Sequence, residues 1–317
     1  MVALGGGHGL HASLAALRHV VDQLTAVVTV ADNGGSSGRL RGEFGVLPPG
    51  DLRMALAALC GDDEWGRTWE RVVQHRFAGP GEMSGHVVGN LLIVALWDMF
   101  GDPVEGLRWV GNLLGARGRV LPMAMTPMDI RAEVRGLDAE RTERTVEVRG
   151  QVEVASTLGT VSSMSLDPAD PAACPEAIAA ILDADWVVLG PGSWYTSVIP
   201  HLMVPDQRAA LVRTSARVVV NLNLQAQDGE TRGYTPVDHL AALHEHAPDL
   251  RVHTVLVDPS AIPDRHELES AVASWGTRLA VADVAMGDGT PRHDPVKLAA
   301  AYSLILSSGA DRDAEGD

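Results

Sequence analysis

The sequence predicts an α/β fold: a Rossmann-like, mostly parallel sheet with helices on both faces, a helical insertion and a small antiparallel β region. Three observations predict it. The chain opens on a strand–loop–helix unit: Val2 to Leu4 is apolar, Gly5-Gly6-Gly7-His8-Gly9 is the loop, and Leu10, Leu14 and Leu17 recur at helical spacing. The next strand, Leu24 to Val30 (LTAVVTV), is apolar almost throughout, as a strand buried on both faces must be. The same text returns late in the chain, where WVVL at 186–189 runs into Gly190-Pro191-Gly192-Ser193. Strand, glycine loop and helix in that order are the units of a doubly wound sheet.

The elements between follow from periodicity. Residues 51–115 have few β-branched runs and carry helical stripes (Leu52, Leu56, Leu59, then Leu91, Leu92, Ala95, Leu96), so they are expected as a helical insertion beside the sheet. Residues 118–165 return to strand-like text: RVLPMAM, IRAEVRG and TVEVRGQVEVAS. Valine alternating with charge gives strands with one wet face, hence an antiparallel edge region or arm. After Pro171 come a helix from Ala177 to Leu182, the strand Trp186 to Leu189, and strands at Arg217 to Leu222, Val252 to Val257 and Arg278 to Val284. A last helix is expected from Pro295, proline being suited to a first turn, to Leu306. Residues 1–306 read as one domain, and 307–317 as a flexible acidic tail.

Composition narrows the function classes. A net charge of −16 argues against nucleic acid and anionic membranes as partners, since both need a positive face. Lys297 is the single lysine among 25 basic residues, which removes the P-loop lysine and leaves phosphate to arginine, hydroxyls and backbone N–H groups. Cys60 and Cys174 have neither disulfide nor metal-ligand spacing, in keeping with a reducing compartment. The apolar start runs straight into glycines, unlike a secretory leader, and no apolar run reaches the ~20 residues of a membrane span. A cytoplasmic protein without membrane insertion is expected.

Chemistry concentrates in five loops. In the first, Gly5, Gly6, Gly7, His8 and Gly9 let N–H groups approach an anion at a helix N-terminus. Gly7 to Ala12 fits the loose dinucleotide fingerprint G-x-G-x-x-A, with Asp32 after the next strand; a plain tight turn is the structural alternative. The second loop gathers Asp32, Asn33, Gly34, Ser36, Ser37 and Arg39, a mixture suited to phosphate or sugar hydroxyls and also to ordinary turns. In the third, Asp51 after Pro49-Gly50 either caps a helix or faces the site. Nearby, His86 and Asn90 lie four apart, on one face if helical, as a structural pair or as site groups.

The fourth loop places Gly190, Gly192, Ser193, Tyr195, Thr196 and Ser197 outside the carboxyl end of a buried strand, where open α/β sheets bind ligands. It lacks the G-x-S-x-G of a hydrolase elbow. In the fifth, Asp294 before Pro295 reads as a helix cap, and Arg292 is within reach of a phosphate. No zinc spacing and no nucleophile with its base can be read. A binding site is far clearer than a reaction.

Together these loops resemble the YvcK-type gluconeogenesis factors within the 2-phospho-L-lactate transferase (CofD-like) superfamily. The matching text is GGGHGL, TVADNGGSSGRLR, LPPGDLR, GHVVGNLL, RGRVLPM, VLGPGSWYTSVIPHLMVP, QDGETRGY and RHDPVKLA, in order from residue 5 to 299. The resemblance implies a Rossmann-like sheet and a UDP-sugar ligand such as UDP-N-acetylglucosamine. It implies links to carbon metabolism, cell shape and cell-wall synthesis, with protein partners there and room for a homodimer. It would put nucleotide contacts at Gly5 to Gly9, Asp32 to Arg39, Gly190 to Ser197 and Arg292. Two departures stand out: His8 where the family usually has Thr, and Asn33 where it usually has Asp. The transferase branch holds a divalent metal such as Mg²⁺ near here. Asn33 leaves only Asp32 and Asp51 as metal carboxylates, which weakens metal-assisted transfer. A binding regulator is therefore the leading expectation, ahead of a Mg²⁺-dependent phospholactyl-type transferase and an NAD-type dinucleotide binder.

Overall fold

The computed structural model of the chain describes residues 1–137 and 144–314. Its strands are β1 (Val2–Gly5), β2 (Thr25–Val28), β3 (Arg119–Pro122), β4 (Asp129–Arg135), β5 (Val146–Arg149), β6 (Thr160–Asp167), β7 (Trp186–Leu189), β8 (Arg217–Asn221), β9 (Val252–Val257) and β10 (Arg278–Val281). Helices α1 (Gly7–Leu17), α2 (Gly35–Phe44), α3 (Gly50–Ala58), α4 (Glu64–Gln74), α5 (Val88–Phe100) and α6 (Pro103–Leu114) fill the first part of the chain. They are followed by α7 (Gln151–Ala155), α8 (Pro175–Leu182), α9 (Pro200–Met203), α10 (Pro205–Arg213), α11 (Pro236–His246), α12 (Arg265–Ser274) and α13 (Pro295–Ala314).

Seven strands form one sheet in the order β10-β9-β8-β7-β1-β2-β3, and all its pairings are parallel. Every residue of β1 is buried, as are the last three of β7 and the last four of β8, so both faces of the sheet centre are covered. The core is continuous from the sheet into α3, α5 and α6, which are the expected insertion, from Gly50 to Leu114. The antiparallel region exists as a three-stranded sheet, β5-β4-β6.

Four local expectations are corrected. RVLP is not part of the arm: as β3, with Val120 and Leu121 buried, it pairs parallel to β2 in the main sheet. In TVEVRGQVEVAS only Val146–Arg149 is strand; Gly150, at φ +108°, turns the chain and the rest becomes α7. The second glycine-rich loop is short, because α2 begins at Gly35 and takes Ser36, Ser37 and Arg39 into its first turns. Its text lacks an apolar stripe, with Leu40 its only large buried residue, so periodicity could not reveal it. Finally, α13 continues past Leu306 to Ala314, so most of the stretch read as a tail begins as helix; residues 315–317 lie outside the described residues.

Candidate functional site

The chain leaves β1 toward β2 and β3 but leaves β7 toward β8, β9 and β10, so β1 and β7 are neighbours whose connections diverge. The crevice outside the carboxyl ends of two such strands is where open α/β sheets hold ligands. Here it is a cleft of about 840 Å³. Of the residues singled out from sequence, Gly6, Gly7, His8, Gly9, Asp51, Gly192, Ser193, Thr196, Ser197 and Arg292 line it.

The first loop forms the floor. Gly6, the N-cap of α1, has no side chain to cap the helix, so the first-turn N–H groups face the cleft, that of Gly7 toward the Asp51 carboxylate. Gly7 sits at φ +56°, a conformation that favours glycine. Gly9 meets the β7 loop so closely that a Cβ on it would lie 2.6 Å from the Gly192 Cα. Gly6 is equally constrained, because a Cβ there would fall 2.5 Å from Asp51 Oδ2. Asp51, in the first turn of α3, thus opens onto the cleft beside the α1 N-terminus. Burial, with the charge of Asp32 adding to it, pushes its pKa up to about 7, against the opposing pull of the Gly7 N–H and Arg53.

The β7 loop forms the opposite rim. Asn223, just past β8, braces it from both sides: its Oδ1 accepts from the Gly192 N–H at 2.9 Å and its Nδ2 donates to the Gly192 carbonyl at 2.8 Å. Gln227 donates to Ser193 Oγ at 3.0 Å. The residues Trp194–Val198 then form a buried π-helical turn. Beneath it lies Glu230, whose burial raises its pKa to about 7 although the Thr196 hydroxyl and the N–H groups of Trp194, Tyr195 and Thr196 face it.

Two buried networks fix these loops. The His201 ring lies 3.1 Å from Thr29 Oγ1, 3.3 Å from the Gly5 carbonyl and 2.6 Å from Gln207 Nε2. Thr29 in turn donates to the Ser197 carbonyl at 3.0 Å. Complete burial holds His201 down to about 4, so it is neutral at pH 7. On the other side, Ser13 donates to the Gly190 carbonyl at 3.1 Å and meets the Tyr302 hydroxyl at 2.9 Å, to which Asn221 donates at 3.0 Å. The last helix is thereby tied to the site through Tyr302.

Other residues singled out from sequence stand apart from the cleft lining. Gly5 and Gly190 lie behind it, offering their carbonyls to the networks just described. Asp32 accepts from the Gly34 N–H at 2.8 Å. Ser36 is buried with His86 (3.2 Å) and Asn90 (3.1 Å), so that pair serves the α2–α5 junction. Ser37 packs on Gly50. Arg39 donates to the Glu82 and Ser84 carbonyls at 3.2 and 2.8 Å on an exposed edge. The Tyr195 hydroxyl pairs with that of Tyr234 at 2.9 Å. Asn33 engages α7, whose Gln151, Val152 and Ala155 form a wall of the cleft.

Arg292 lies on the rim, exposed and paired with Asp288 at 3.0 Å. The Thr290 hydroxyl and N–H, with Arg292, draw the Asp288 carboxyl down to about 2. Sequence reading missed His11, Gln151, Asn223 and Gln227 as lining residues. The signal for the last two was present: NLNLQAQDGE is polar text at the carboxyl end of a buried strand, the position that drew attention to Ser193. Among the described residues, no three His, Cys, Asp or Glu side chains converge to hold a metal ion. No described helix is long and apolar enough to cross a membrane.

A family model described as 2-phospho-L-lactate transferase CofD matches residues 1–283. A protein of Mycobacterium tuberculosis (strain H37Rv) is 51% identical over 311 residues, covering 97% of this chain and 90% of the relative. The Gluconeogenesis factor of Bacillus subtilis (strain 168) is 38% identical over 271 residues, 84% of this chain and 82% of its own length. The crystal structure of a UPF0052-family protein from Bacillus halodurans superposes with a TM-score of 0.84 at 34% identity, covering 95% of this chain and 97% of that one.

Proposed function

This chain belongs to the CofD family, and we propose that it is a cytoplasmic regulatory protein that binds a nucleotide sugar of the UDP-N-acetylglucosamine class. The observation that carries the reading is the meeting of two glycine-rich segments at the switch point, where the N-terminus of α1, with glycine as its N-cap, opens onto the cleft. A diphosphate suits that place, because N–H groups and the helix dipole favour negative charge; with no lysine in the lining, holding it falls to those groups and to Arg292. The polar wall of Asn223, Gln227 and Ser193 offers partners for sugar or base, and Arg292 a charged donor at the rim. The role in carbon metabolism rests on the name of the Bacillus subtilis relative. The links to cell shape and cell-wall synthesis rest on the resemblance.

Calorimetric titration with UDP-N-acetylglucosamine tests the reading. Saturable binding is expected, weakened by about 1.5–3 kcal/mol in Arg292→Ala, the range for a hydrogen bond to a charged group. Absence of binding at millimolar ligand rejects it, and displacement by NAD but not by UDP-sugar favours a dinucleotide instead.

One observation favours a second reading, a Mg²⁺-dependent transferase of the family's described type. Asp32 raises the pKa of Asp51, so the two carboxylates repel each other, Asp51 beside the α1 N-terminus and Asp32 behind the cleft lining, and a divalent cation would relieve that repulsion. Two carboxylates completed by ligand phosphates are a donor set that Mg²⁺ accepts. If this reading holds, Mg²⁺ tightens UDP-sugar binding in the wild type and not in Asp51→Asn.

A further inference from the structure

The α7 wall is a five-residue helical turn between β5 and β6, yet it closes one side of the cleft and meets three separate loops of the main sheet. Gln151 Nε2 donates to the Thr196 carbonyl at 3.1 Å, joining α7 to the β7 loop. Gly229, in the loop after β8, lies so close under the Ala155 carbonyl that no Cβ fits between them. Gly34, in the loop after β2, seats Val152: a Cβ on Gly34 would fall 2.7 Å from Val152 Cγ2. Between these contacts stands Asn33, and both ends of its amide hold α7. Its Oδ1 accepts from the Val152 N–H at 3.1 Å, and its Nδ2 donates to Glu153 Oε2 at 2.7 Å. Gly150 is part of the same joint, since a side chain there would displace both Glu153 and the Asn33 amide.

We propose that Asn33 is a positioning residue, which shapes the ligand cleft by clasping α7 against it and does so through its amide donor. Only a side chain that accepts at one atom and donates at the other satisfies both partners. A carboxylate at this position would keep the Val152 contact and turn its second oxygen on Glu153, replacing a hydrogen bond by like-charge contact. The clasp also gives a physical sense to the asparagine, which stands where the resembling family usually has aspartate: on this chain the amide completes the wall. This inference rests on the reading of the cleft as a nucleotide-sugar site, because it predicts what α7 does for binding.

The test is a charge-rescue cycle on the full chain, read two ways: affinity for UDP-N-acetylglucosamine, and amide hydrogen exchange across residues 150–156 without ligand. N33D is expected to weaken binding about tenfold and to speed exchange in that segment. E153Q added to N33D supplies a donor to the new carboxylate and is expected to return both readouts to near the wild-type values. N33A loses both contacts, and E153Q does not rescue it. Should N33D fail to fold, E153A, at an exposed position, gives the same loosening at smaller size. If N33D/E153Q binds as weakly as N33D while its exchange recovers, Asn33 touches the ligand directly and the inference falls. Unchanged exchange in N33D and N33A overturns it as well. If the wild type does not bind the UDP-sugar, the ligand assignment fails, and the exchange arm still decides whether the clasp exists.

Discussion

Gly9 and Gly192 approach so closely that a Cβ on Gly9 would lie 2.6 Å from the Gly192 Cα. Gly9 stands in the first turn of α1, behind β1, and Gly192 in the loop after β7; the two strands are adjacent in the sheet, while the two glycines are 183 residues apart in the chain. The contact makes one surface of two loops, and it needs glycine because backbone lies on both sides. Gly9→Ala should therefore push the loops apart. A stability loss of about 1–3 kcal/mol is expected from overpacking against backbone, with loss of nucleotide-sugar binding. Urea unfolding and titration of the same variant check both, and unaltered binding would show that the loops do not act together.

Tyr302 should matter to stability although it lies outside the cleft lining. Its hydroxyl joins Ser13 on α1 to Asn221 at the end of β8, and burial raises its pKa to about 12. Tyr302→Phe leaves the buried Asn221 Nδ2 without its partner, a cost of about 1–3 kcal/mol. The urea midpoint should fall with the slope unchanged.

Asp51 predicts a pH dependence of definite sign. Its folded pKa of about 7 lies above the ordinary value of 3.8, so the folded state holds more protons than the unfolded between those limits. Its contribution to stability is therefore greatest in acid and declines as pH rises through that window. Half-buried His11 and buried His201 and His293, each held near 4, act in the opposite sense, and Glu230 acts in the same sense. All four remain in Asp51→Asn, so the stability difference between variant and wild type isolates Asp51. That difference should move in favour of the variant from pH 4 to pH 7 and then level off. A difference independent of pH would mean that Asp51 titrates normally.

Sequence periodicity was a good guide where burial is symmetric. LTAVVTV and WVVL are apolar because helices cover both faces of the sheet, and α3 and α5 announce themselves by leucine stripes. It failed where tertiary contacts decide the local form. In QVEVA, valine alternates with charge as in a strand, but Gly150 turns the chain and Asn33, Gly34 and Gly229 hold the segment as a helical turn. Ser36 was legible as one hydroxyl of a polar glycine-rich stretch and His86 as a polar residue entering an apolar helix; that they bond each other at 3.2 Å, fifty residues apart, follows only from the packing of α2 on α5. The glycine loops were legible because close approach leaves a mark in composition. For Asn223 and Gln227 the polar text after a buried strand marked the segment but not the role, since an amide bracing a loop looks like any polar loop residue until its partner is placed.

The loops after β1 and β7 remain the centre of the account, and the most direct measurement is calorimetric titration of the intact chain with UDP-N-acetylglucosamine, beside Gly9→Ala as control. The account predicts saturable binding by the wild type that is lost in the variant. Wild-type chain that releases no heat and gains no thermal stability at millimolar ligand would contradict it.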